Sequence, residues 1–507
     1  MNNLARRGAI AAAWNYGGNL TRVGLQFGIG VLLARLIGPE GFGVVAITLA
    51  IISLGQIFVD FGFNAAIVQT RDLKASDVAS LGTLQILVAS TMTIVMYLSA
   101  GQISRFYHQP GALHVIQAMS LMFVIRGFGQ TSVALLSREL KFRSVQLGSI
   151  SGYVTGYILV GVPMAFSGYG PWSLVAAQLV QTFVSSVLAI LQVGQFHRIS
   201  VRGIRRDMLL FGQRVLSANV GSWTLVNVDS VVVGHVLGST PLALYNRAFT
   251  LANTPAQAVL SGLQGVLFAA TSRAQDNPEG CRRAFYTCVE LFTLMLAPIL
   301  LTVALTPRTV LQSLYGPEWS EATDLLPPLC IAAVIGGILG FFGPIIMGLG
   351  RIEKETRAQW MAAIIMVPTV YTAAHWSALA VAWSIVVIYL IRAVLLYRAL
   401  DSILSLDHRR VLVAAVPGGA AAVIAASAGF GVDQLAQHWP LFIRLFAIVG
   451  AAGLGALVGL LACFPMLRSG ALGSAIRKSN MLPPWVADLI GLTRSKPQDT
   501  IRSGDTL

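Results

Sequence analysis

The chain is a succession of apolar runs of about 20 residues, parted by short charged or Gly- and Pro-bearing breaks, and each run is long enough to cross a bilayer as a helix. Inside hydrocarbon every backbone N–H and C=O must find its partner within the segment, so such a chain folds as an all-α integral membrane protein. Only 11% of its 507 residues are charged, under half the share of about 25% in soluble domains. The net charge of +14 would point to nucleic acid in a soluble protein; here it records Lys and Arg held on the cytoplasmic side.

Windows of that length predict about fourteen spans, over 9–37, 42–69, 78–100, 113–137, 144–167, 171–194, 211–237, 241–270, 284–305, 325–349, 358–375, 379–400, 411–430 and 441–466. With this count, most of the 35 Lys and Arg fall in the even-numbered loops and the termini, while the odd-numbered loops hold only Arg105 and Arg308. A wrong count would scramble that alternation, which predicts both termini in the cytoplasm. No loop has room for a catalytic domain, the largest being 306–324.

Equal spacing suggests a repeat. "LIGPEGFG" is similar to "VLGSTPLA" 200 residues on, and Asn19 and Gly38 recur as Asn219 and Gly238. The expected organisation is two parallel six-helix bundles, 1–194 and 211–400, joined by a basic connector at 195–210. That connector reads equally as an amphipathic helix on the inner leaflet or as a solvated loop. Two further helices occupy 401–466 and a polar cytoplasmic tail 467–507. Arg6 and Arg7 precede a run far longer than the core of a cleavable signal. Cys281, Cys288, Cys330 and Cys463 form no CxxC and no metal-ligand spacing, and there is no P-loop, so no metal, disulfide or cofactor is expected.

Polar residues interrupt the apolar runs in register. In "IISLGQIFVDFGFNAAIVQ", Ser53, Gln56, Asp60 and Asn64 share one helix face; Asn15, Asn19, Arg22 and Gln26 do so on the first span. The eighth span carries Arg247, Thr250, Thr254, Gln257, Ser261 and Gln264. Facing lipid these stripes would be costly, so they look at protein or at a watery cavity. For Ser and Thr, helix–helix hydrogen bonding is sufficient reason; a charged group costs roughly 2.5–3.5 kcal/mol on insertion scales and needs more. Arg22 and Asp60, on consecutive spans, are expected to pair. Arg126 and Arg392, Asp229 and Glu290 complete the deep charges. Arginine binds phosphate bidentately, so the set suits an anionic cargo better than a cationic one. Asp60, Asp229 and Glu290 read either as charge-balancing groups or as carriers of a coupling proton; for Glu290 a position near the helix end is a third reading.

"LLARLIGPEGFGVVAI" with "FVDFGFNAAIVQ" resembles the first two helices of bacterial polysaccharide flippases, the Wzx-type members of the polysaccharide transporter family in the superfamily that includes the MATE exporters. "NVDSVVVGHVLGSTPLALYNRAFTLANTP" and "LYGPEWSEATDLLPPLCIAAVIGGILGFFGPIIMGLGR" are similar to later parts of that family, and the likeness runs to about residue 400. The resemblance implies a MATE-like V of two six-helix bundles in the bacterial inner membrane, alternating between inward and outward openings. It implies no catalysis. Its cargo would be undecaprenyl-diphosphate-linked oligosaccharide, flipped for exopolysaccharide, O-antigen or capsule synthesis. Coupling to an ion gradient and association with polymerase and chain-length machinery are further implications. Arg22 and Arg247 would meet the diphosphate, with Arg126, Arg392, Asn19, Gln26 and Gln257 lining the cavity. Two other readings stand beside it: a multidrug or metabolite exporter of related architecture, and an enzyme of the same pathway, which the short loops disfavour.

Overall fold

The computed structural model describes residues 2–70, 72–194, 200, 206–273, 277–470 and 472–473, with side chains from Trp14 onward except at 206, 207, 266, 269, 273 and 469. The connector expected at 195–210 and the tail at 467–507 lie mostly outside the described residues.

The first half comprises α1 (Asn2–Asp60), α2 (Phe63–Gln69), α3 (Ala75–Phe106), α4 (Ala112–Arg138), α5 (Phe142–Tyr153), α6 (Val162–Phe166) and α7 (Pro171–Val193). A π-helical stretch, Val154–Gly161, joins α5 to α6. The second half begins with α8 (Arg206–Val236), α9 (Ser239–Arg273), α10 (Pro278–Leu305) and α11 (Pro307–Tyr315). After a 3₁₀ segment, Pro317–Leu325, it continues with α12 (Leu326–Leu339), α13 (Phe342–Gly348), α14 (Ile352–Ala374) and α15 (Ala378–Leu404). Last come α16 (His408–Leu435), α17 (Leu441–Ala462) and the short α18 (Phe464–Ser469).

The break expected between the first two spans falls at a hinge inside one long helix, and the second span is broken again further on. α1 has two arms hinged at Gly38, whose φ of 73° and ψ of 174° suit glycine alone, followed by Pro39 inside the helix. The span expected at 42–69 is interrupted: Phe61 (φ 42°) and Gly62 (φ 72°) turn in the left-handed region and separate α1 from α2. Apart from Asp60 and Asn64 the residues around this turn are apolar, so hydropathy averaged over a span reads through it.

Ten stretches among the described residues are long and apolar enough to span a membrane, one of them the two-armed Trp14–Asp60. α8, α9 and α14, at 31, 35 and 23 residues, have the length but fall short in apolarity. They carry groups such as Asn227 and Asp229, Asn246 and Arg247, or Glu355 and Gln359. Polar helices of this kind need protein or water beside them.

α3 packs on α4, and α7 on α4 and α5, with α1 against α4 and α5. α8 packs on α14, α14 on α15, and α12 on α9, α10 and α15; α16 lies between α10 and α17. The two sets meet where α1 runs against α8 and α9, and where α2 touches α8. Gly38 and Gly238 take positive φ at matching turns, and just beyond them Gly43 lies against the Ser239 backbone. At the opposite end a β-carbon on Gly62 would stand 2.9 Å from Gly212. Phe63, Ala66, Ile67 and Met208 form a small apolar cluster beside that contact.

The end bearing α11 is tied down on both sides. Arg35 donates from Nε to the Leu314 carbonyl at 2.6 Å and to Ser313, and lies 5.0 Å from the centre of the Phe442 ring. Trp319, fully buried, donates to the Ala34 carbonyl at 3.3 Å. Asp433 accepts from Thr309 and from Arg444, both at 2.7 Å. Through these bonds α16 and α17 hold α11, which in turn holds the first arm of α1.

Candidate functional site: a divided polar cavity

Three adjoining cavities lie along α1. The largest, about 520 Å³, opens between α1, the α5–π–α6 helix, α8 and α9, and is lined by Gln26, Tyr153, Tyr157, Asn227, Asn246 and Arg247 among others. The second, about 420 Å³, continues down α1 and α9. There the stripes of the first and eighth spans face one another: Asn19 and Gln26 look across at Arg247, Thr250, Thr254, Gln257 and Ser261. The third, about 280 Å³, sits among α1, α4, α5 and α7 and holds Arg22 and Arg126 with Ser144, Ser149, Gln181 and Thr182. Gln178 borders both the first and the third.

The expected Arg22–Asp60 pair is not formed. Arg22 donates to Asn19 at 3.1 Å and to Ser149 at 3.5 Å, and its buried Nε has no partner. The charge facing Asp60 is Arg126, which also donates to Gln56 at 2.9 Å; Asn64 donates to the Asp60 carboxylate. Consecutive spans need not turn their charges to each other: the bend at Gly38 and Pro39 resets the second arm, and Asp60 meets α4 instead.

Arg22 and Arg247, expected at one ligand group, line different cavities. Arg247 sits 3.9 Å from the centre of the Phe42 ring and 5.9 Å from that of Tyr315, with Tyr153 and Tyr157 also close enough to act on it. Arg392 lines none of the three; it lies within α15 near Glu355 and Tyr389, its Nε buried and unpartnered. Asp229 is buried at 3% exposure and accepts from Tyr245 Oη and from the Ser230 N–H, each at 2.7 Å. Glu290 lines none of the three cavities; it accepts the Leu472 N–H at 3.0 Å and so fastens the chain just beyond α18.

α8 contributes a polar stripe of its own to the first cavity, with Asn227 and Ser230 in its lining and Trp223 bonded to the lining residue Ser53. Trp223, Asn227 and Ser230 follow steps of four and three on α8, the very signal used for the other helices. Trp223 donates to Ser53 at 2.8 Å, joining α8 to α1. Tyr153 and Tyr157 stack at 4.6 Å between ring centres, and Tyr157 donates to Gln178 at 2.5 Å. Tyr157 lies in the π-helical stretch, a distortion common at functional sites.

A multi-pass helical fold with a polar cavity between two helix sets defines the class, that of a membrane transporter. Residues 32–324 match the family model described as polysaccharide biosynthesis protein (Polysacc_synt_3), and the chain belongs to that family. It is 22% identical over 403 residues to the lipopolysaccharide biosynthesis protein WzxC of Escherichia coli K12, covering 78% of this chain and 81% of that one. It is 25% identical to the succinoglycan biosynthesis transport protein ExoT of Rhizobium meliloti over 65% of this chain and 66% of the other. With the teichuronic acid biosynthesis protein TuaB of Bacillus subtilis it shares 23% identity over 82% of this chain and 87% of the other. Among solved structures, lipid II flippase MurJ in an inward closed conformation superposes with a TM-score of 0.73 at 12% identity, covering 90% of this chain and 99% of that one. An inward-facing multidrug resistance MATE transporter of the MOP superfamily gives 0.57 at 15% identity, over 75% and 94%. These likenesses show that the chain shares the fold of MurJ and of the MATE transporter.

Proposed function

We propose that the protein flips polyprenyl-diphosphate-linked oligosaccharide repeat units from the cytoplasmic to the outer leaflet of the bacterial inner membrane, for assembly of a surface polysaccharide. The observation that carries the reading is the Arg22–Arg126 chamber: two arginines among serines, threonines and amides, one with an unpartnered buried Nε, in a family named for polysaccharide synthesis. Guanidinium groups and hydroxyls are the donors a diphosphate requires.

In this reading the sets 1–194 and 211–400 act as two bundles that rock about the seam between α1 and α8–α9, and both termini face the cytoplasm. The ends of that seam, Gly62 against Gly212 and Gly43 against Ser239, part in turn. Asp60 balances Arg126 in the wall of the chamber. Asp229, buried with a tyrosine and a backbone N–H as partners, is the carboxylate left to couple an ion. Polymerase and chain-length proteins would receive the product.

Depletion of the protein, followed by extraction of polyprenyl-linked lipids and assay of surface polymer in the same cells, tests the reading. Accumulated lipid-linked repeat units with loss of polymer, both reversed on restoration, are expected. Unchanged glycolipids with new sensitivity to toxic compounds would make the protein an exporter instead.

A further inference from the structure

Arg247 stands apart from the other cavity arginines. Counted along α1, Gly30 marks its level: a β-carbon there would stand 3.6 Å from Arg247 Nη1. Arg22 lies eight residues away, about 12 Å along a helix, and its Nη2 points further off, to Asn19. The two phosphorus atoms of a diphosphate share one bridging oxygen and cannot span that separation, so one diphosphate occupies one site or the other.

Arg247 also has no acidic partner among the described residues. Its neighbours are the rings of Phe42 and Tyr315, with Tyr153 and Tyr157 beyond. Aromatic faces hold a guanidinium by cation–π attraction without neutralising it. The Tyr315 hydroxyl takes one guanidinium hydrogen bond; the remaining donors stay available to the cavity, whose lining nearby is neutral: Gln26, Asn227, Asn246 and Thr250. Asn246 has its carbonyl oxygen engaged by Ser230 at 2.9 Å, which leaves its amide hydrogens for a ligand.

We propose that Arg247 forms a second anion site, separate from the Arg22–Arg126 chamber, which receives the carboxylate of an acidic sugar in the transported repeat unit. The inference rests on the flippase reading above. With the diphosphate in the inner chamber, the part of the substrate level with Arg247 is saccharide. Amides and stacked tyrosines suit its hydroxyls and ring faces, and the one cation matches one monoanion. A carboxylate meets a guanidinium through two parallel hydrogen bonds; a uronic acid or a ketal-linked pyruvate supplies it.

Two measurements test the assignment. Repeat units extracted from depleted cells should carry a carboxylate by mass spectrometry and hydrolysis. An accumulated but neutral repeat unit overturns the Arg247 assignment and leaves the flippase intact, whereas absence of accumulation overturns the flippase. In the second, the full-length protein in lipid nanodiscs is titrated with inorganic pyrophosphate and with a glucuronate-containing tetrasaccharide. Arg247→Met should weaken the tetrasaccharide about tenfold or more while leaving pyrophosphate within about twofold, and Arg22→Met should do the reverse. Arg247→Lys, which keeps the charge and loses the planar fork, should fall between and controls for folding. Equal loss of both probes in Arg247→Met, or pyrophosphate binding without tetrasaccharide binding in the wild type, overturns the second site. If the wild type binds neither, the anion chamber falls as well.

Discussion

Gly43 lies so close to Ser239 that a β-carbon on it would stand 2.3 Å from the Ser239 carbonyl oxygen. This is backbone against backbone at the seam between the two halves, and no rotamer can relieve an added side chain. Gly43→Val should therefore part the seam at this end. A cysteine placed at Ala243, which is 1% exposed and lines the largest cavity, should become reactive to a membrane-impermeant thiol reagent. The four native cysteines are buried. Labelling no greater than in the Ala243→Cys parent would mean that the contact does not close the cavity.

The partner of Asp60 is open to a direct test. In a double-mutant cycle on thermal stability, Asp60→Asn and Arg126→Met should couple by about 0.5–3 kcal/mol, as interacting groups do. Asp60→Asn and Arg22→Met should be additive to within about 0.5 kcal/mol. The opposite ranking would return Asp60 to Arg22.

Asp433 predicts a role for the last two long helices beyond occupying lipid. It is 7% exposed and joins Thr309 of α11 to Arg444 of α17. Asp433→Ala leaves the Arg444 guanidinium, half-buried, without its carboxylate, a loss worth about 3–5 kcal/mol where a buried pair is broken. Asp433→Asn keeps a hydrogen-bond acceptor and should cost less. Both should raise proteolytic cleavage within the 3₁₀ segment Pro317–Leu325. Equal protease resistance in wild type and Asp433→Ala would separate α16 and α17 from the anchoring of α11.

The helical membrane fold was legible because bilayer thickness writes itself into run length, and the stripes on the first and eighth spans because charge inside hydrocarbon has few explanations. Those stripes do face each other across a cavity, as with Asn19 and Gln257. Pairing was not legible. Asp60 finds Arg126 some 66 positions on, through a bend whose angle no periodicity reports. The Phe61–Gly62 turn is hidden in the same way, since a left-handed pair inside an apolar run leaves hydropathy unchanged. The rings around Arg247 come from three distant segments, at 42, 153–157 and 315, so only the assembled chain brings them to one cation.

Transport itself is measured most directly in vesicles. Purified protein is reconstituted with a fluorescent polyprenyl-diphosphate oligosaccharide present in both leaflets, and a membrane-impermeant reductant is added outside. If the protein flips this lipid, the reductant should bleach the inner-leaflet pool as well as the outer one, and Arg22→Met with Arg126→Met should slow that second phase while the vesicles stay sealed. Bleaching confined to the outer-leaflet pool, as in protein-free vesicles, would contradict the flippase.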